Sequence, residues 1–395
     1  MRLTFGDHDV PGMGEVLAEQ ARRYPGPPAA WQPVQTVYVP ADRFDRLTVR
    51  SWGEAALDLA SGHLRSDDDL EAVLGSLPAG HAADVRARVA RKLAREPVED
   101  LRIDFEDGYG TRPAAEEDAH AEAAAEAVAA MHAEGTLPRR WGLRVKSFAD
   151  GDPARSLRTL DAFLTGVTHR AGTLPGGFRV TFPKVLMEAY LGRFASFLAR
   201  LEEGLGLAAG TLRFEMQVEA PQTVMFLQRS PDLVPSLDGR LAAAHFGVFD
   251  YTAACGLPPG EQRLDHPVCD HAREATRVAL AGTGVELSDG SLAASPASGS
   301  TEDVHALWRA HAGMVRHSLR HGFHQGWDMH PSHLVSRYAA VYAFHLAARD
   351  AYAARVRAWE AGRDADGGVM DEPATIKTLV TALHRATLAL GGTEE

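Results

Sequence analysis

Between residues 34 and 338, short apolar and β-branched runs alternate with longer alanine-rich stretches in which apolar positions recur every three or four residues. The short runs predict strands at Thr36–Pro40, Leu101–Phe105, Trp141–Val145, Phe178–Phe182, Leu212–Val218, Ala242–Val248, Val285–Ser288 and Gly326–His330. The long stretches predict amphipathic helices, among them Ala114–Glu134, Pro153–Thr168, Glu188–Leu205, Cys269–Ala281 and Thr301–His321. Strand and helix in regular alternation is the pattern of βα units around a parallel sheet. Eight such strands predict an α/β fold closed into a (β/α)8 TIM barrel rather than an open doubly wound sheet.

The pattern changes at both flanks. Residues 1–34 read as an N-terminal extension: a helical stretch from Met13 to Arg23, then Tyr24-Pro25-Gly26-Pro27-Pro28, whose prolines exclude a regular helix. Residues 35–338 form the expected barrel. Residues 339–395 form a C-terminal helical appendage, with helical pattern from His333 to about Ala361 and from Glu372 to Leu390, separated by a Gly/Asp-rich break at Gly362–Gly368.

Composition narrows the possibilities. A chain of 395 residues, 45% of them hydrophobic, can build one large core, and disordered or collagen-like classes are excluded. The net charge of −12 argues against nucleic acid or an anionic membrane as the main partner. Two cysteines, Cys255 and Cys269, cannot staple a fold of this size, which fits a reducing cytoplasm. Met1–Asp7 lacks an apolar leader and no run approaches about 18 apolar residues, so the expectation is a soluble cytoplasmic protein.

In a parallel barrel, functional groups gather at the C-terminal ends of the strands. Here the second strand runs into Asp104-Phe105-Glu106-Asp107-Gly108-Tyr109-Gly110, the third into Arg144-Val145-Lys146 and the fourth into Pro183-Lys184. The fifth ends at Glu219-Ala220-Pro221, the sixth at Asp250-Tyr251 and the eighth at Asp328-Met329-His330-Pro331. Buried charges are costly unless paired or bound to a metal, so charged residues at successive junctions predict one polar site at the mouth.

Glu215, Gln217 and Glu219 alternate and so share one side of the fifth strand. Only Glu219 lies at its end, and Glu215 reads as a structural carboxylate lower in the barrel. His317 and His321 stand i,i+4 on a helix, but the accompanying carboxylate of a zinc motif is missing from the local sequence. His330 lines the mouth or caps the strand. His266-Pro267-Val268-Cys269-Asp270-His271 mixes soft and hard ligands and is equally explained as a helix cap.

Several of these motifs occur in a known order. Val39-Pro40-Ala41-Asp42-Arg43, Asp104-Phe105-Glu106-Asp107, Arg144-Val145, Pro183-Lys184-Val185, Val218-Glu219, Phe246–Tyr251, Gly284–Gly290 and His330-Pro331 resemble the citrate lyase β-subunit and HpcH/HpaI aldolase family over roughly Val34 to Tyr338. Malyl-CoA lyases and malate synthases are more distantly similar. The resemblance implies a divalent metal, Mg²⁺ or Mn²⁺, held by Glu219 and Asp250, with Arg144 binding a 2-oxo acid.

The chemistry agrees with that implication. Making or breaking a C–C bond beside a carbonyl passes through an enolate, whose oxygen requires fixed positive charge. Arg144 offers a planar fork for a carboxylate, or simply a salt bridge to Asp104. Lys146, Lys184 and Asp104 complete the expected substrate-binding set. Glu106 and Asp107 are the candidates for proton transfer or for orienting water, beside their plain reading as a solvated acidic turn. Lys146 and Ala220 stand where many family members have Asn and Thr. The extra cation favours a more anionic substrate, and the lost hydroxyl removes a hydrogen bond.

The leading expectation is therefore a magnesium-dependent carbon–carbon lyase or aldolase, acting as a homo-oligomer on a small 2-oxo acid or acyl-CoA substrate. Malate-synthase-like condensation of acetyl-CoA with glyoxylate, or a non-catalytic acid-binding barrel that regulates a partner, are the alternatives.

Overall fold

A computed structural model describes residues 10–26, 31–362 and 371–391. Met1–Asp7, Pro27-Pro28 and the break beyond Gly362 lie outside the described residues.

Eight parallel strands alternate with helices: β1 Gln35–Pro40, β2 Asp100–Asp104, β3 Arg140–Arg144, β4 Phe178–Phe182, β5 Phe214–Val218, β6 Leu241–Phe246, β7 Glu286–Ser288 and β8 Gly326–Asp328. The sheet runs β7-β6-β5-β4-β3-β2-β1-β8, and a parallel bridge between Ser288 and Gln325 brings its two edges together. The result is a nearly closed (β/α)8 barrel. Each predicted strand is present, with boundaries shifted by a few residues.

Alternation along the strands decides what goes where. Val37 and Val39, Leu101 and Ile103, Trp141 and Leu143, Val180 and Phe182, and Met216 and Val218 are fully buried and pack outward on the helices. Phe182 stacks on Phe194 of the helix Ala189–Leu205 with centroids 4.4 Å apart, and Phe214 meets Phe194 edge-on. Helix Ala114–Glu134 buries Ala121, Ala124, Ala125, Val128 and Met131, and the small alanines let helix Pro153–Ala171 approach until Gly166 sits on Ala125.

The intervening strand positions point into the barrel, and they are polar. Arg102 on β2 reaches across to Glu215 on β5, with Nη2 donating at 2.6 Å and Nε at 2.9 Å, and it also pairs with Asp100. Thr36 donates to Asp100 and Gln325 donates to Thr36. All these side chains are fully buried, so the mutual pairing is what makes a charged interior tolerable. Glu215 is held low, at about 2: burial opposes ionisation, but the charge of Arg102 outweighs it. It is a structural carboxylate, as its place on the strand predicts.

Between β1 and β2, where the sequence pattern left no element assigned, lie three helices, Thr48–His63, Asp67–Leu74 and His81–Arg95. The second opens with a capping box between Ser66 and Asp69. Helix Pro331–Glu360 runs unbroken through residue 338, so the last barrel helix and the start of the expected appendage are one element. Helix Pro373–Ala389 packs beside it. No helix among the described residues is long and apolar enough to cross a membrane.

Candidate active site at the barrel mouth

Where β2, β3, β4, β5 and β6 end, five elements deliver charged side chains to one place. Arg144, the last residue of β3, is 6% exposed and lies beside Asp104, the last residue of β2. Its Nε donates to Asp104 Oδ1 at 2.7 Å and its Nη2 to Oδ2 at 2.6 Å. Asp104 also accepts the backbone N–H groups of Glu106 and Gly108, both at 2.9 Å. With four donors on two oxygens, Asp104 has no acceptor to spare for a ligand. These contacts hold Arg144 and the turn in place.

That turn aims Glu106 inward. Its Oε2 stands 3.1 Å from Arg144 Nη1, and its Oε1 accepts from Lys184 Nζ. Burial still pushes Glu106 up to about 7 against the pull of both cations. Asp107 is different: its side chain is about half exposed. Burial raises it less than the hydrogen bond and charge of Lys184 lower it, and it stays ionised. Lys184 Nζ to Asp107 Oδ1 is 2.6 Å.

Lys184 is a junction residue. Its φ of +46° is a left-handed conformation that non-glycine residues rarely adopt. The twist lets its backbone N–H donate to Glu219 Oε1 at 2.6 Å while its ammonium bridges Glu106 and Asp107. Burial works against its charge, but the two carboxylates more than compensate and keep it protonated.

Glu219 follows β5 and is 3% exposed. Burial first, then the charges of Glu106 and Asp250, push it up to about 8. Asp250, in the helix Val248–Ala254, is half-buried and raised by burial against the pull of Lys184. Gly247 leaves a cradle here: a Cβ at that position would lie 2.6 Å from Glu219 Oε2. Glu219 feels the charges of Glu106 and Asp250, and hard carboxylate oxygens suit a small hard dication, which Glu219 with Asp250 could hold.

Other predicted residues go elsewhere. Lys146 donates to the carbonyls of Phe105 at 2.7 Å and Gly110 at 3.1 Å and pairs with buried Glu117 at 3.0 Å. It braces the turn after β2 and makes no contact with Glu219 or Asp250 among the described residues. Asp328 turns out of the barrel to Arg337, at 2.7 Å, and His311, at 3.2 Å. His330 and His266 cap the helices Pro331–Glu360 and Pro267–Leu280 through their side chains.

The sequence reading missed the layer beneath the carboxylates. Tyr38 lies under Arg144, 5.1 Å from ring centroid to guanidinium, and its ring meets Trp327 at a 33° tilt with centroids 4.6 Å apart. Gln217 is fully buried, and neither amide atom has a partner among the described residues. Alternation with Glu219 was the available signal for Gln217, since a polar residue two before a strand-end carboxylate shares its face.

A family described as "Domain of unknown function (DUF6986)" matches residues 13–394. No curated protein matches the chain in sequence. Among solved structures, a citrate lyase from Burkholderia xenovorans LB400 superposes with a TM-score of 0.63 at 18% identity, covering 93% of this chain and 94% of that one. Haloferax volcanii malate synthase at 3 mM glyoxylate gives 0.54 at 13% identity, covering 91% and 97%. The magnesium/glyoxylate complex of the same enzyme gives 0.50 at 15% identity, covering 89% and 97%. At these identities the likeness is one of fold.

Proposed function

The chain belongs to the DUF6986 family, and from the site at its barrel mouth we propose that it is a divalent-metal-dependent carbon–carbon lyase or condensing enzyme acting on a 2-oxo acid or an acyl thioester. One observation carries the reading: Glu106, Glu219 and Asp250, three carboxylates all pushed upward, converge beside a buried arginine at the C-terminal end of the barrel. Burial is the first cause of each shift, and the neighbouring carboxylates raise Glu219 further.

Glu219 and Asp250 would hold Mg²⁺, which when bound polarises a substrate carbonyl and stabilises negative charge on its oxygen. Arg144 binds the substrate carboxylate. Asp104 takes two of its five N–H donors and fixes the plane of the fork, leaving Nη1 directed toward the site. Glu106, poised near 7, takes or returns the proton that moves when the C–C bond breaks or forms. Lys184 keeps Asp107 ionised and sets the electrostatic balance of Glu106. Tyr38 and Trp327 close the floor beneath Arg144 and limit water.

The magnesium/glyoxylate and citrate lyase neighbours share this barrel, so their substrate classes are the ones to try first. The test is a screen of 2-oxo acids, hydroxyacyl thioesters, and acetyl-CoA with glyoxylate, with Mg²⁺ and with EDTA, on wild type and Glu219→Gln. Cleavage consumes hydroxy-oxo acids or malyl-type thioesters, whereas condensation releases free CoA. Turnover that survives both EDTA and Glu219→Gln would reject the proposal.

A further inference from the structure

On the outside of the barrel the structure joins two motifs that lie far apart in sequence. Asp270 sits in the first turn of helix Pro267–Leu280, while His317 lies in the last turn of helix Thr301–Arg320 and His321 caps it. His317 Nε2 is 2.7 Å from Asp270 Oδ1, and His321 Nε2 is 3.8 Å from the same oxygen. One ligand atom from each of the three lies within 4.8 Å of the others. Ligand atoms around a tetrahedral zinc ion, with bonds of about 2.1 Å, stand roughly 3.4 Å apart. Small side-chain adjustments therefore suffice to close the group on one ion.

The surroundings are those of a metal centre. Glu274 Oε1 lies 3.1 Å from His321 Nδ1, so a proton held there leaves the Nε2 lone pair directed at the site, the carboxylate–histidine arrangement that orients metal ligands. Buried Arg273 holds Asp270 through Oδ1 at 2.6 Å and is itself balanced by Asp289 at 2.8 Å. Asp270 Oδ1 is thus the atom on which Arg273 and both histidines converge. Both histidines stand at a helix C-terminus, where the dipole favours a cation. The three side chains are 31%, 29% and 27% exposed, so a fourth position opens to solvent.

A second cluster, His311, Asp328 and His333, offers a contrast. Arg337 clamps Asp328, Ser336 bonds His311, and the carbonyl of Ala294 takes His333, all in a fully buried setting. Its hydrogen bonds are complete and it is a structural network.

We propose that Asp270, His317 and His321 form a zinc site, separate from the magnesium site at the mouth, that fastens helix Pro267–Leu280 to helix Thr301–Arg320. Two imidazoles and a carboxylate select a borderline ion over Mg²⁺. The full-length protein, stripped with EDTA, is titrated with Zn²⁺ against a chromophoric chelator. Wild type and Glu219→Gln are expected to take up one tight equivalent, His317→Ala and His321→Ala to bind at least about 30-fold more weakly, and Glu274→Gln about 10-fold more weakly. Co²⁺ is expected to give visible bands of four-coordinate intensity in wild type, a readout that requires no substitution. Absence of zinc uptake by wild type, uptake that is equal in the histidine variants, or a six-coordinate Co²⁺ spectrum overturns the proposal.

Discussion

Gly247 lies against Glu219 so closely that a Cβ at 247 would stand 2.6 Å from both the Cβ and Oε2 of Glu219. The contact follows from register: β5 and β6 pair Val218 with Phe246, so the next residue on each strand meets at the rim. Gly247→Ala is therefore expected to swing the carboxylate away and weaken Mg²⁺ binding by at least about tenfold, with a stability loss of roughly 1–3 kcal/mol. Calorimetric Mg²⁺ titration and thermal unfolding measure the two effects. Unchanged affinity would mean that Glu219 is not a ligand.

The metal-free protein should lose stability as pH rises from about 6.5 to about 8. Glu219 and Glu106, raised from 4.5 to about 8 and about 7, keep protons in the folded state that the unfolded chain has already released, so their contribution falls from about pH 4.5 and is gone by about 8. The buried histidines act with the opposite sign at lower pH. Burial lowers His324 and His333 to about 3 and His345 to about 4, so their contribution is fully present above about 6.5 and lost on acidification. Melting temperatures across this range should decline in metal-free wild type, and less so in Glu219→Gln. Mg²⁺ should restore wild type but leave the variant unchanged.

Asp104→Ala removes the acceptor that holds Arg144 and two backbone N–H groups of the following turn. The expected cost is about 3–5 kcal/mol, because a buried guanidinium loses its main partner. Turnover is expected to fall by at least about 100-fold through misplacement of the fork. Denaturant unfolding and steady-state kinetics on the substrate found by screening check both. Wild-type kcat/KM in this variant would separate Arg144 from the reaction.

Lys146→Met should behave in the opposite way. The ammonium pairs with fully buried Glu117, which would be left with Arg155 at 3.3 Å as its remaining cation. A loss of about 1–3 kcal/mol in stability is expected with KM changed less than about threefold. A large rise in KM at wild-type stability would return Lys146 to the substrate.

The strands were legible because burial on one face and polarity on the other impose a two-residue period that the sequence displays directly, as in Glu215, Gln217 and Glu219. The helices between β1 and β2 went unassigned, although Val85, Val89 and Leu93 of His81–Arg95 recur at spacings of four residues. Strand ends likewise marked Arg144, Glu219 and the Asp104–Asp107 turn as candidates.

Hydrophobic periodicity by itself determined the barrel, and charge at the strand ends the short roster of ionisable groups. They did not determine which groups meet. Lys146 and Lys184 both follow strands directly, yet one braces a turn and the other bridges Glu106 and Asp107. Asp328 ends a strand and still turns outward to Arg337. Asp270 reaches His317 across 47 residues of chain. Such pairings depend on helix packing and on the backbone direction after each strand, because charge interactions are decided by distances of a few ångströms and by burial, and only the closed tertiary structure sets either.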